Sequence, residues 1–156
     1  MDKVKIEKYQ KGQETKIYQL IKKVYDEFVS YDYTKEGNQF FYDWIQPDKI
    51  AKRQTDNRVM LIAKSGSKII GVIEIRENNR ISLLFVDKEY QGQGIAKRLF
   101  QDSLEILKQK NSILDKFYVH ASPFSIPIYK KLGFIEVDSL QENHGIKYMP
   151  MEKMIK

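Results

Sequence analysis

The chain has no cysteine, so neither a disulfide framework nor thiolate chemistry is available to it. Histidine is nearly as scarce. His120 and His144 are the only two, too few for a structural zinc site, and no metal is expected. No apolar run approaches the roughly 20 residues of a membrane span, and Met1-Asp2-Lys3 does not open a secretory leader. A cytoplasmic protein is the resulting expectation. Internal repeats, low-complexity tracts and domain linkers are also missing. The 156 residues therefore read as one domain, 1–156, large enough to build a core without staples.

Charge is plentiful: 27 basic residues against 21 acidic ones leave a formal +6. The basic residues are spread along the chain rather than gathered in one stripe, which argues only weakly for nucleic acid. A ligand with several phosphates would welcome the same positive rim.

The most informative stretch runs from Ile81 to Phe100. Ile81-Ser82-Leu83-Leu84-Phe85-Val86 is a short apolar run with strand character. Asp87-Lys88-Glu89-Tyr90 breaks it, and Gln91-Gly92-Gln93-Gly94-Ile95-Ala96 leads into a helical stripe of Ile95, Ala96, Leu99, Phe100, Ser103, Leu104 and Leu107. A strand, a glycine turn and a helix in that order make an anion site. The first N–H groups of the helix have no internal partner, and the dipole adds positive charge there. Gly92 and Gly94 take away side chains where a ligand must approach the backbone. A dinucleotide fingerprint would need Gly or Ala where Lys97 stands, and no P-loop pattern occurs.

The rest of the chain supplies a frame. Val4 to Tyr9 reads as a strand. Ile17, Leu20, Ile21, Val24, Tyr25 and Phe28 fall at helical spacing, with the helix ending near Ser30-Tyr31. Helical pieces are expected over Asn38 to Ile45 and from Pro47 through Arg53. Strands over Val59–Lys64, Lys68–Arg76 and Ile81–Val86 are joined by short turns and should be antiparallel. After the helix from Ile95 to near Gln109-Lys110-Asn111, Phe117–Ala121 must return parallel to the Ile81 strand, because a helix crossover joins them. Ser125 is expected to cap a short helix that Gly133 closes. Phe134–Val137 and Ile146–Met154 are final strands around a turn at Glu142-Asn143-His144-Gly145. The outcome is an α/β chain: a mixed, mostly antiparallel sheet of about seven strands, with helices on both faces and a central parallel pair.

Gln91, Gly94 and Ala96 form Q-x-x-G-x-A after a strand, which closely resembles the acetyl-CoA signature of the GNAT N-acetyltransferase superfamily. Tyr129-Lys130-Lys131-Leu132-Gly133-Phe134 is similar to that family's Y-x-x-L-G-F segment. The resemblance implies the fold just described, with acetyl-CoA as co-substrate and an amine as acceptor. It implies that Gln91, Gly92, Gln93, Gly94, Ile95, Ala96 and Lys97 grip the phosphates. Phe85 and Val86 would run beside the pantetheine arm, with the Val86 N–H directed at the thioester carbonyl. Ser122 stands where relatives often carry an asparagine that holds the cofactor.

Acetyl transfer to an amine also needs a neutral amine and a proton for the departing thiolate. Tyr129, a phenol of ordinary pKa about 10, suits the thiolate. Deprotonating an alkylamine at pH 7 costs about 4.6 kcal/mol, and Glu74 or His120 could take that proton. The family resemblance places the acceptor between Phe28–Trp44 and Gln141–Lys147, where Tyr31, Tyr33, Phe40, Phe41 and Trp44 could line a pocket. Small amines, polyamines, aminoglycosides and protein amino groups stay open as acceptors, and a homodimer is open too. A basic nucleic-acid-binding domain, or a CoA-binding regulatory domain without catalysis, is the competing reading.

Overall fold

Eight strands, the central ones built from apolar runs, assemble one mixed sheet, seen in a computed structural model that describes residues 3–56, 58–110 and 115–155. The strands are β1 (Val4–Lys8), β2 (Arg58–Ser65), β3 (Lys68–Arg76), β4 (Arg80–Val86), β5 (Lys116–Ala121), β6 (Ile135–Glu136), β7 (Gln141–Asn143) and β8 (Ile146–Met154). Their order is β1-β2-β3-β4-β5-β8-β6, with β7 paired to β8 off that path. β1 to β4 run antiparallel to their neighbours, and β5 joins β4 in parallel.

Among the described residues five α-helices cover the sheet: α1 (Glu14–Phe28), α2 (Lys35–Trp44), α3 (Pro47–Arg53), α4 (Ile95–Gln109) and α5 (Ile126–Lys131). The stripe on α1 buries Ile17, Leu20, Ile21, Val24 and Tyr25. With Ile45 and Ile50 it packs on Met60, Ile62, Val72 and Leu83. On the opposite face Ile95, Leu99, Phe100 and Leu107 of α4 pack on Leu61, Ile73, Ile75, Phe117 and Val119. Buried apolar side chains of this kind each contribute about 1.5–3 kcal/mol. The two half-cores therefore hold the sheet from both sides.

Ser125 holds the N-cap position of α5 without the expected side-chain cap, its hydroxyl donating to Ser122 O instead, and two further details differ from the sequence expectation. α2 begins at Lys35 rather than Asn38, because the Thr34 hydroxyl accepts from Gly37 N at 3.0 Å and caps the helix three residues earlier. The final turn is also tighter than expected. Gln141–Asn143 pairs with β8, leaving only His144 and Gly145 as the loop, both at positive φ (52° and 78°). That is the two-residue hairpin geometry whose twist matches the strands it joins. Asn111, at the expected end of α4, lies outside the described residues.

The parallel pair is short, and this shapes everything that follows. β4 and β5 are in register only at Arg80–Tyr118 and Ile81–Val119. Immediately afterwards Ser82 is a bulge: Leu83 pairs with Glu74 and Ile81 with Ile75, so Ser82 has no partner on β3. A bulge bends a strand and sharpens its twist, and β4 parts from β5 from this point on. Asp87 fixes the far end of β4, since its N–H donates to Ile70 O at 2.8 Å. Burial disfavours the Asp87 charge, but the Glu89 N–H and the ammonium groups of Lys23 and Lys68 outweigh it and hold its carboxyl below the ordinary value.

Candidate active site

A cleft of about 790 Å³ opens where β4 and β5 separate, and it crosses the sheet from one face to the other. At the α4 mouth it is lined by Gln91, Gly92, Gly94, Ile95, Ala96 and Lys97. At the α1–α2 mouth it is lined by Tyr25, Tyr33, Phe41, Trp44 and Phe124. Phe85, Val86, His120, Ser122 and Tyr129 face it between the two mouths.

The α4 mouth has the features of an anion cradle. Gly94 holds the N-cap position at φ 80°, and no side chain caps the helix. The first intrahelical bond runs from Arg98 N to Gly94 O, so the N–H groups before it are free of helical partners. The first turn carries no acidic residue. A Cβ on Gly92 or Gly94 would meet nothing within 4 Å, leaving open room for a ligand. Such a turn fits the phosphates of a CoA thioester. Gln91 has another task, its Nε2 donating to Val86 O at 2.9 Å and tying the turn back to β4. Gln93 is exposed and outside the cleft, with Nε2 3.4 Å from Glu89 O. Arg98 likewise points elsewhere, donating to Val4 O at 3.1 Å. Lys131 of α5 lines the cleft instead, a cation that no sequence pattern singled out.

The middle of the cleft is built from main chain and one phenol. Asp87 N–H faces β3, so alternation along the strand turns the Val86 N–H the other way, towards the gap. Leu84, two residues earlier, shares that orientation. Tyr129 comes from α5, which Leu132 and Gly133 end, with Gly133 at φ 98°. Its ring is 4% exposed and meets Phe134 edge-on at 5.5 Å. Burial raises the Tyr129 phenol well above its ordinary pKa. Ser122 also reaches the cleft, its Oγ 2.8 Å from Ser125 Oγ.

The two candidate bases are placed very differently. Glu74 is fully buried outside the cleft lining. Its carboxylate accepts from Gln54 Nε2 at 2.5 Å and Ser82 Oγ at 2.6 Å, with Arg53 Nε 3.7 Å away. His120 lines the cleft and stacks on Tyr148 at 4.3 Å. Partial burial, with the charges of Arg80 and Arg76, lowers its pKa below the ordinary value.

At the α1–α2 mouth, Tyr25 stacks on Phe41 at 4.0 Å and donates to Asn38 Oδ1 at 2.7 Å. Phe28 stacks on Phe124 at 4.7 Å, joining α1 to the segment after β5. Thr34 N–H donates to Gly145 O at 3.0 Å, so the α2 entrance docks on the β7–β8 hairpin. A Cβ on Gly145 would lie 1.8 Å from Thr34 Oγ1, which requires glycine there. Tyr31 and Phe40, by contrast, are 81% and 58% exposed and lie outside the lining.

Residues 29–155 match the sequence profile of the acetyltransferase (GNAT) domain. The chain belongs to the GNAT acetyltransferase family. Solved GNAT-fold structures agree over nearly the whole chain. A PaiA N-acetyltransferase from Thermoplasma acidophilum in complex with coenzyme A superposes with a TM-score of 0.80 at 21% identity, covering 97% of this chain and 99% of that one. An acetyltransferase of the GNAT family from Staphylococcus aureus gives 0.76 at 18%, covering 99% and 100%. An aminoglycoside 6'-N-acetyltransferase complexed with coenzyme A gives 0.70 at 12%, covering 97% of each. Identities this low speak for the fold. The family match makes this GNAT chain an acetyltransferase, with acetyl-CoA as its co-substrate. Among the described residues, no helix is long and apolar enough to cross a membrane.

Proposed function

We propose that the protein moves an acetyl group from acetyl-CoA directly to a primary amine that enters from the α1–α2 mouth. One observation carries this reading: a single cleft crosses the sheet, with an anion cradle at one mouth and an aromatic pocket at the other. Acetyl-CoA supplies an activated acyl group as a thioester. The free N–H groups at the start of α4 bind its phosphates, and the divergence of β4 from β5 leaves room for the arm. The N–H of Val86 is directed at the space where a carbonyl oxygen gains charge, a role that a preorganised donor serves well.

Tyr129 is the proton donor in this reading. Its raised pKa does not disqualify it, because the burial that disfavours phenolate also disfavours a free thiolate in the same cleft. His120 is better placed than Glu74 to receive the amine's proton. It lines the cleft, whereas Glu74 is committed to Gln54, Ser82 and Arg53. Phe28, Phe124 and the Tyr25–Phe41 stack exclude water from the reacting end.

Thiol release from acetyl-CoA, followed over a panel of amines with purified protein, tests the proposal. Saturable, amine-dependent release is expected, together with a higher melting temperature when acetyl-CoA is bound. Acetyl-CoA binding without turnover on any amine would favour a regulatory CoA-binding domain. Salt-sensitive binding to DNA or RNA with no acetyl-CoA effect would favour the nucleic-acid reading.

A further inference from the structure

Three arginines stand side by side across adjacent strands, in register. Arg58 of β2 pairs with Arg76 of β3, and Arg76 pairs with Arg80 of β4. Cross-strand partners share a face, and like charges directly opposite one another destabilise a sheet. Arg53, at the end of α3, joins them from above. Its pKa is lowered first by burial, with the charges of Arg58 and Arg76 adding to that effect. Four guanidiniums thus converge at one end of the sheet.

Their counter-charges do not balance them. The carboxylates that act on Arg53 and Arg80 are Glu74 and Glu77. Glu74 is already hydrogen-bonded to Gln54 and Ser82. Four buried guanidinium nitrogens, Arg53 Nε and Nη2, Arg58 Nη1 and Arg76 Nε, have no hydrogen-bond partner among the described residues. Buried donors left unpaired are costly, and each calls for an explanation.

The row adjoins the acceptor mouth at two points. Arg53 lies over the Trp44 ring at 4.0 Å and donates to Trp44 O at 2.8 Å. Arg80 Nη2 is 3.0 Å from His120 Nδ1. Trp44 and His120 both line the cleft with the four arginines behind them, and among the described residues no carboxylate lines it. An acceptor with several ammonium groups would find no counter-charge in the lining. An acceptor whose anion reaches past Trp44 or His120 would find forked donors suited to carboxylate or phosphate.

We propose that the Arg53–Arg58–Arg76–Arg80 cluster binds an anionic group, carboxylate or phosphate, on the same molecule that carries the acceptor amine. The inference rests on the acetyltransferase reading above and names the acceptor class for that site. It also gives Arg80 two competing partners. An acceptor anion that engages Arg80 draws its donor away from His120 Nδ1 and frees that nitrogen to take a proton.

Matched amines test this. ω-Amino acids of increasing length are each compared with their own amide, and phosphoethanolamine with ethanolamine, by kcat/KM with saturating acetyl-CoA. The anionic member of a pair should be favoured by roughly tenfold or more. Preference confined to ω-amino acids, or to phosphoethanolamine, says which anion is the natural one. Arg76→Gln should collapse the preference and Arg76→Lys should restore part of it. If Arg76→Gln fails to fold, Arg58→Gln serves the same purpose.

A second readout needs no turnover. Trp44 is the only tryptophan, so its emission reports on the site. 5-Aminovalerate should change that emission saturably, and its amide should not. Acetyl-CoA binding with equal rates for both members of every pair would mean a hydrated arginine row and would overturn the assignment, leaving the acetyltransferase reading intact. Absence of any acetyl-CoA binding would instead strike at that reading. A short single-stranded RNA that shifts Trp44 emission and loses its effect in Arg76→Gln would give the row to a nucleic acid, which also overturns it.

Discussion

Arg80 Nη2 lies 3.0 Å from His120 Nδ1, and a guanidinium can only donate. Nδ1 is therefore the acceptor nitrogen, and the neutral imidazole carries its proton on Nε2. The contact keeps His120 neutral while occupying the lone pair that a base would use. The proposed base and the guanidinium that locks it thus stand on the adjacent strands β5 and β4.

His120 should titrate below the ordinary histidine value of about 6.5. The folded protein then binds fewer protons than the unfolded chain between the two pKa values. The stability that His120 contributes is complete above about 6.5 and is lost as pH falls from there through the folded pKa. Arg80→Gln removes a neighbouring positive charge and should move the midpoint up. Imidazole NMR shifts against pH measure both, and a midpoint at or above the ordinary value in the unaltered protein would contradict the assigned geometry.

Tyr129→Phe removes one hydroxyl and leaves the packing against Phe134 nearly intact. Turnover should fall by roughly 10²–10⁴-fold, the usual worth of one general acid. Acetyl-CoA affinity should change little, because the anion cradle lies on α4. Steady-state kinetics and calorimetry separate the two effects. Undiminished turnover would remove Tyr129 from the chemistry.

Gly94 permits two graded tests. With open space at its Cβ position but φ at 80°, Gly94→Ala meets backbone strain without a clash, about 1–2 kcal/mol. Gly94→Glu adds negative charge beside the free helix N–H groups. Alanine should lower the melting temperature and keep a reduced stabilisation by acetyl-CoA, whereas glutamate should abolish that stabilisation. Thermal melts with and without acetyl-CoA decide it. Equal behaviour of the two variants would show that phosphate does not sit at this turn.

Glu74→Gln distinguishes a structural carboxylate from a base. Glu74 is the buried counter-charge nearest Arg53, and its neutralisation should cost about 3 kcal/mol of stability. Turnover of the folded fraction should persist. Unfolding in urea and an assay corrected for the folded fraction measure each quantity separately. Intact stability with turnover lost would make Glu74 the proton acceptor.

Local patterns were enough for the frame. The stripes of α1 and α4, the apolar runs of β2 to β5, and Pro47 opening α3 each rest on contacts between near neighbours, or on a single residue's dihedral preference. The glycine turn was legible for the same reason: a strand, two glycines and a helix start are recognisable wherever the fold places them.

Only the tertiary structure decided what faces the cleft. Gln93 and Arg98 sit within or beside the motif yet point away from it, while Lys131 of a different helix points in. Glu74 and His120 looked equivalent as bases along the chain. One is sealed beneath α3 by Gln54 and Ser82, and the other lies on the cleft wall. The arginine row was likewise invisible, because Arg53, Arg58, Arg76 and Arg80 read as separate charges until strand register sets three of them abreast. The physical reason is common to all of these. A side chain's backbone habit is set by its neighbours in sequence, whereas its electrostatic partners are set by pairing between distant strands.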